Sequence, residues 1–279
     1  LLCKKGKFGY ETVLGGERVK TPTVDGKETT YEKAAVAIKA RAKNYGKNEI
    51  GVFLAANLSK EEVAAYVDFA KNTLNSEIIV SPAALTYDIK GDAKVTDIDD
   101  ANHIVYIGED PYTDNPVAGI RMAKANANIC SFTKNDKIEI AKETDLVIIA
   151  EKSADAKTCA KGAALAKAVD AKLLILHSAA NTAIYRGAGV KTPDTLDDRL
   201  KALVVIGDEA GIPGKIQRLL MIAPRHTAET NNTGIVLPFA TSFETTGTVA
   251  CNCGSEFMRE QALCPPGGKS NLEILKLLK

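Results

Sequence analysis

Short, uninterrupted apolar segments alternate with amphipathic segments along most of this chain. Helical spacing of apolar residues is seen at 31–42, 59–74, 115–126 and 154–169. A strand buried on both faces reads as a continuous apolar run, and its alternation with helices is typical of βαβ units. The sequence therefore predicts an α/β fold with two Rossmann-like lobes and mostly parallel sheets. The predicted strands are residues 50–56, 77–80, 103–107, 146–150, 172–176, 202–206, 219–223 and 235–237. Residues 1–30, in contrast, are rich in glycine and charge and are predicted to form loops and turns.

The length and charge of the chain limit the classes of protein to which it can belong. At roughly 150 residues per domain, 279 residues indicate about two domains. A net charge of +1 disfavours nucleic acid as a partner. Because there is neither a long apolar run nor a visible signal peptide, we expect no membrane insertion and a cytoplasmic location, free or at the cytoplasmic face of a membrane complex. The chain begins at Leu1 rather than Met, so we expect a fragment or a processed product.

The six cysteines fit reduced thiols in a cytosolic protein. Cys130 and Cys159 lie in apolar or Ala-rich segments, and we expect both to be small core residues. Cys251, Cys253 and Cys264 leave a metal site open as an alternative, although zinc sites usually show C-x₂₋₄-C pairs.

Common catalytic motifs are not found. Gly187-Ala188-Gly189 lacks the third glycine of the dinucleotide fingerprint, and the G-K-S at 268–270 lacks the P-loop's first glycine. The latter segment is better explained by a capping box, from Ser270 to Glu273, that begins a short helix. We interpret His103 and His177 as structural histidines, whereas Arg225-His226 could meet an anion.

Two strand ends carry glycine followed by acidic residues. In parallel α/β sheets, ligands bind at the carboxyl ends of strands, where glycine allows close approach and a carboxylate can accept hydrogen bonds from hydroxyl groups. The alternative is an ordinary turn whose acids favour a helix N-terminus. The candidate cofactor-binding residues are Gly108, Glu109, Asp110, Pro111, Gly207 and Asp208.

Several segments, in order, resemble the molybdopterin oxidoreductases, a family that includes formate dehydrogenases and the large iron–sulfur subunit of respiratory NADH dehydrogenase (complex I). LCKKGKFGY at 2–10 resembles the family's L-C-x-K-G-R-F-G-Y, and RVKTP at 18–22 its R-L-x-x-P. Further matching segments are residues 97–116, 203–209, 230–238, 243–248 and 265–274.

The resemblance implies roles for two residues near the start of the chain. Cys3 matches the fourth cysteine ligand of a 4Fe–4S cluster, whose other three ligands would lie upstream of Leu1. Lys5 matches the lysine between cluster and pterin, where a fixed positive charge can assist electron passage; the alternative is a solvated surface lysine.

Three departures from the family argue against catalysis on a metal–pterin group. The stretch matching the Mo or W ligand has no cysteine, and Ser81, with Asp88 further on, is the nearest substitute. The family's C-terminal pterin-binding domain has no counterpart. The segment matching N-x-E-G-R reads CNCGS at 251–255 and lacks the arginine.

The resemblance leads to one expectation for the whole chain. Residues 1–29 would end an iron–sulfur segment; residues 30–82 with 198–279 would form one lobe and 83–197 an inserted lobe, with residues 187–197 as the seam. The chain would be part of an electron-transfer subunit of the NADH dehydrogenase type, with the molybdopterin-type fold kept as a scaffold for other subunits of a redox complex. One alternative is part of an active Mo or W pterin enzyme such as formate dehydrogenase; another is a cofactor-free binding module.

Overall fold

A computed structural model describes residues 10, 15–84, 89–196, 199–207 and 216–279. The candidates Cys3, Lys5, Asp88 and Asp208 lie outside the described residues. No helix in the described part of the chain combines the length and the apolar composition that crossing a bilayer requires.

The described residues form an alternating series of strands and helices. The strands are β1 (Thr23–Val24), β2 (Lys27–Glu28), β3 (Ile50–Leu54), β4 (Ile79–Val80), β5 (His103–Ile107), β6 (Asn128–Phe132), β7 (Leu146–Ala150), β8 (Lys172–Leu176), β9 (Ala202–Ile206), β10 (Gln217–Ala223), β11 (Ile235–Pro238), β12 (Gly247–Ala250) and β13 (Glu256–Arg259). The helices are α1 (Tyr31–Ala42), α2 (Lys60–Asn72), α3 (Pro111–Asp114), α4 (Pro116–Lys124), α5 (Ala156–Ala168), α6 (Thr182–Gly187), α7 (Ala228–Asn231) and α8 (Asn271–Leu278), with 3₁₀ turns at Val95–Ile98 and Pro193–Thr195.

The chain divides into two compact units. Unit 1 comprises the described residues of Leu1–Ala84, Ile184–Val249 and Phe257–Lys279. Unit 2 comprises those of Leu85–Ala183 and Ala250–Glu256. The lobe boundaries given above, at residues 82 and 197, stay predictions.

Unit 1 is built on a seven-stranded sheet in the order β2-β1-β11-β10-β9-β3-β4. The five strands from β11 to β4 are parallel, and β3 pairs with β9 from Ile50↔Ala202 to Leu54↔Ile206. Every residue of β3 and β9 is buried, which explains their continuous apolar sequences. An antiparallel hairpin, β1 with β2, extends the sheet at β11.

Unit 2 is built on a four-stranded parallel sheet in the order β6-β5-β7-β8. Side chains alternate between its faces. Ile104 and Tyr106 of β5 pack in one core cluster with Met122 of α4. Val105 and Ile107 pack in the other cluster with α5. The sheet is thus covered on both faces, and the predicted α/β class with mostly parallel sheets is confirmed.

The helix starts follow from local sequence. Ser59 accepts from the N–H of Glu62, and the Glu62 carboxylate accepts from the N–H of Ser59, which is the reciprocal pattern of a capping box. Ser270 and Glu273 make the same pair at the start of α8, so this predicted capping box is confirmed.

Two local predictions were wrong. Residues 23–28 form a hairpin rather than only loop, turning at Asp25 and Gly26, both with positive φ. Strands of two residues are too short to show a period, although Asp-Gly is itself a hairpin signal. Cys130 is exposed, because it lies on β6 at the edge of its sheet. The prediction of a buried Cys159 is confirmed.

Candidate functional site at the carboxyl edges of the sheets

In unit 2, the turn after β5 holds four of the candidate residues. A Cβ on Gly108 would lie 2.6 Å from the Tyr106 hydroxyl and 2.8 Å from a carboxylate oxygen of Asp114, so only glycine fits. Asp110 caps α3, because its carboxylate accepts from the backbone N–H groups of Tyr112 at 3.3 Å and Thr113 at 3.0 Å. Pro111 occupies the first turn of α3, where its missing N–H costs nothing.

The hydrogen bonds of Asp110 lower its pKa, chiefly the one from the Thr113 hydroxyl. The carboxylate is therefore engaged by its own helix. The Glu109 side chain is exposed at this edge, whereas its backbone N–H points inward to Asp114 and Ser153. Glu109 is thus more exposed than Asp110, the other candidate acid among the described residues.

Asp114 is the centre of this edge, although no sequence motif pointed to it. One of its oxygens, Oδ2, accepts from the Tyr106 hydroxyl at 2.6 Å, the Ser153 hydroxyl at 2.6 Å and the N–H of Glu109 at 3.2 Å. Burial, followed by the bond to Asp114, raises the pKa of Tyr106, which keeps this phenol protonated as a donor. The cluster ties the end of β5 to the loop after β7. Ser153 lies 39 residues from Asp114, so no local motif signals the pair.

A second polar pair lies at the ends of β7 and β8. Glu151 Oε2 and His177 Nδ1 are 2.8 Å apart, and their side chains are 1% and 8% exposed. The backbone N–H of His177 also donates to the carbonyl of Asn252 at 2.6 Å. His177 therefore has Glu151 as a buried hydrogen-bonding partner, in agreement with its interpretation as a structural histidine. A carboxylate–imidazole pair of this kind can also hold or pass a proton.

In unit 1, Gly207 ends β9 with φ of +88°. A Cβ there would lie 2.5 Å from Cβ of Ala55. Beside it is a cavity of about 110 Å³, lined by Gly207, Met221, Ala223, Pro224, Arg225, Thr227, Glu229 and Thr230. Ligand pockets for drug-sized molecules are about 300–1,000 Å³. The volume of this cavity lies below that range.

Ser81 does not fit the role of a metal ligand. It is fully buried, its N–H donates to the carbonyl of Lys191 at 2.9 Å, and its hydroxyl oxygen accepts from the N–H of Ala83 at 3.2 Å. The hydroxyl also interacts with the Tyr185 side chain. These bonds secure the turn after β4. No reaction step is therefore assigned to a metal–pterin group at this position.

The structure brings two of the family-like segments together. The guanidinium of Arg18 forms a bidentate ion pair with the Glu244 carboxylate, at 3.1 and 2.8 Å. Its Nε donates to the carbonyl of Pro224 at 2.9 Å. Both side chains are nearly buried. In the 243–248 segment, the Thr248 hydroxyl donates to Glu61 at 2.7 Å. Arg18, Glu244 and Thr248, which lie in family-like segments, thus make contacts between distant parts of unit 1 that stabilise the fold.

Among the described residues, no group of three or more His, Cys, Asp or Glu side chains is placed to hold a metal ion. The cluster ligand implied by the resemblance, Cys3, lies outside them.

Comparison with known proteins gives distant relatives. The alpha subunit of an F420-dependent formate dehydrogenase of Methanococcus maripaludis is 26% identical over 139 residues, which are 44% of this chain and 21% of the relative. YrhE of Bacillus subtilis, a candidate formate dehydrogenase, is 27% identical over 179 residues, which are 55% of this chain and 18% of the relative. The aligned segments thus span about a fifth of each relative. No protein-family model matches the chain.

One solved structure shares the fold. A chain of the formyltransferase/hydrolase complex from Methylorubrum extorquens, determined with methylofuran, superposes with a TM-score of 0.60. The match covers 92% of this chain and 97% of that chain at 10% identity, so it supports a shared fold and nothing further. The sequence comparisons support distant homology to formate dehydrogenase alpha subunits, in keeping with the molybdopterin oxidoreductase resemblance.

Proposed function

We propose that this chain is part of the large subunit of an electron-transfer oxidoreductase, in which the molybdopterin-type α/β fold serves as a scaffold. The observation that carries the proposal is the sequence similarity to formate dehydrogenase alpha subunits over about half of the chain. The buried, hydrogen-bonded Ser81 favours the scaffold form, which resembles the large iron–sulfur subunit of NADH dehydrogenase, over a metal–pterin centre. The partners would be other subunits of a redox complex.

Within this proposal, Cys3 supplies one thiolate to a 4Fe–4S cluster and Lys5 places a positive charge beside it. The cluster, when bound, carries single electrons. Gly108, Glu109, Asp110, Pro111, Gly207 and Asp208 are the residues proposed to face a cofactor or its remnant pocket. The hydrogen bonds of Asp110 and Asp114 support a mainly structural role for the turn after β5 and leave Glu109 as its accessible acid.

The test is Cys3→Ser in the full-length protein, with Cys264→Ser as the matched control because Cys264 is an exposed thiol. We expect Cys3→Ser to remove one 4Fe–4S signal from the EPR spectrum of the reduced protein, while the control keeps it. An unchanged spectrum in Cys3→Ser would contradict the cluster assignment.

The second candidate is part of an active molybdenum or tungsten enzyme, which the formate dehydrogenase relatives favour. Metal analysis of the native full-length protein separates the two. Stoichiometric Mo or W with extractable pterin would support the active enzyme, whereas iron without Mo or W would support the scaffold. A protein with none of these metals would support a cofactor-free binding module.

A further inference from the structure

The loop between β12 and β13 brings two thiols together. The N–H of Cys251 donates to the carbonyl of Ser255 at 3.0 Å, and the N–H of Gly254 donates to the carbonyl of Cys251 at 3.0 Å. Gly254 has φ of +82°. A β-turn closed by a glycine with positive φ is a standard three-residue hairpin connection. Cys251 and Cys253 are therefore the first and third residues of a tight turn.

The two thiols interact within this turn, since each shifts the pKa of the other. The Cys253 sulfur also lies 3.7 Å from the Ser255 hydroxyl oxygen. Residues two apart can be separated by at most about 7 Å between Cα atoms, and a turn shortens that distance. Disulfides bridge Cα separations of about 4.4–6.8 Å, so the turn can accept a bond between these sulfurs.

Unit 2 holds this turn in place. Asn252 accepts from the N–H of His177, and Asn181 exchanges two hydrogen bonds with the backbone of Ala250, at 3.0 and 2.8 Å. Cys253 packs partly against the core cluster that contains Tyr106 and Leu176. The turn is therefore anchored at Ala250, Asn252 and Cys253, which leaves little ordering to be done when a bond forms. Both thiols are only partly buried, so a small reagent can reach them.

The electrostatics distinguish the two thiols. Burial raises the pKa of Cys253, but the hydrogen bonds from Cys251 and Ser255 outweigh it and lower the pKa overall. Burial and the bond to Cys253 raise the pKa of Cys251. The Cys253 sulfur also has the Ser255 hydroxyl 3.7 Å away, which can donate to a thiolate there, so we assign Cys253 as the attacking thiolate and Cys251 as the thiol that resolves the intermediate.

We propose that Cys251 and Cys253 form a dithiol–disulfide site that exchanges two electrons with low-molecular-weight disulfides of the glutathione type. The Cys253 thiolate attacks one sulfur of the small disulfide, whose S–S bond breaks and whose other half leaves as a thiolate that takes up a proton. Cys251 loses its proton and attacks the Cys253 sulfur, which expels the second half as a thiol. Both cysteines are oxidised, and one small disulfide is reduced to two thiols. The site is independent of the assignment of Cys3.

The sequence makes this reaction easy to follow. The segment 226–259 is bounded by Arg225 and Arg259 and contains no other Lys or Arg, so trypsin releases it as one peptide in which Cys251 and Cys253 are the only cysteines. The full-length protein is incubated with oxidised glutathione in the presence of a chelator, alkylated under denaturing conditions, digested and analysed by mass spectrometry.

We expect this peptide to lose both alkylation sites and the mass of two hydrogens, and to regain both sites after treatment with a mild thiol reductant. Cys251→Ser should instead retain glutathione on Cys253, since the resolving thiol is gone. Cys264→Ser is the control and should behave like the wild type. Two alkylated thiols after incubation, a lasting glutathione adduct in the wild type, or a bond to another cysteine peptide would each overturn the proposal.

Discussion

Arg18 and Glu244 lie 226 positions apart in the chain and form a nearly buried, bidentate ion pair in unit 1. The backbone N–H and the hydroxyl of Thr241 also donate to the Glu244 carboxylate, at 2.8 and 3.0 Å. Two segments that resemble separate family motifs are thus one structural feature. The pair fastens the segment before β1 to the loop after β11.

Removing one partner of this pair should destabilise the protein strongly. Breaking a buried ion pair leaves an uncompensated charge and costs about 3–5 kcal/mol. We expect that loss for Arg18→Ala in urea unfolding followed by circular dichroism. Lys137→Ala is the control, because its pair with Glu139 is exposed, and it should leave the free energy of unfolding nearly unchanged. Equal effects of the two substitutions would contradict this account.

The same pair should make stability depend on pH. Burial raises the pKa of Glu244, but the bonds from Arg18 and Thr241 outweigh it, so the pKa is lowered overall. A carboxyl with a lowered pKa in the folded state stabilises the protein above its unfolded pKa of about 4.3 and loses that contribution as the pH falls through the folded value. Unfolding free energies measured from pH 7 to pH 3 should fall less steeply for Glu244→Gln than for the wild type.

Gly207 should tolerate no side chain. Its positive φ costs an alanine about 1–2 kcal/mol, and the close approach of Ala55 adds overpacking of about 1–3 kcal/mol. Gly268→Ala is the matched control, since Gly268 has φ of +68° but open space around its Cβ position. The thermal midpoint should fall further for Gly207→Ala than for Gly268→Ala, and the reverse order would be inconsistent with the crowding.

Asp114 should contribute more to stability than any one of its donors. Tyr106→Phe removes one hydrogen bond to a carboxylate, worth about 1.5–3 kcal/mol, whereas Asp114→Ala leaves three donors without their acceptor. Urea unfolding of both variants and of Ser153→Ala checks the order. If Asp114→Ala were the mildest of the three, the carboxylate would not be the centre of the cluster.

The native thiols should differ in reactivity. Burial, with the nearby charge of Glu151, raises the pKa of Cys159 to about 12, so almost no thiolate exists at pH 8. Cys130 is exposed on the edge strand. Iodoacetamide should therefore label Cys130 in the folded protein and label Cys159 only after denaturation, as peptide mapping would show.

The sequence predicted the regular elements well where burial dictates the pattern. The boundaries of α1, β5, β7, β8 and β9 agree with the apolar periods, because each is buried on one or both faces. It failed at β6, whose residues are mostly exposed, so that no apolar pattern marks the strand. An edge strand is defined by its hydrogen bonds to a neighbour, and these cannot be seen in a single segment.

The site was harder to predict than the fold. Gly108 and Gly207 were singled out from their positions after strands, and both are sterically required. Asp114 and Ser153 were missed because their partnership depends on how β5 and β7 lie side by side. The assignments of Cys3, Lys5 and Asp208 stay predictions.

The pairing of β3 with β9 has a consequence for folding of the protein during its synthesis on the ribosome. The partners are about 150 residues apart, and at about 5–20 residues per second β9 is synthesised roughly 8–30 seconds after β3. During that delay the four strands of unit 2, which are contiguous in the chain, are already complete. A nascent chain whose first 183 residues have left the ribosome would therefore carry all four strands of the small sheet and an apolar strand, β3, that a chaperone would still have to protect.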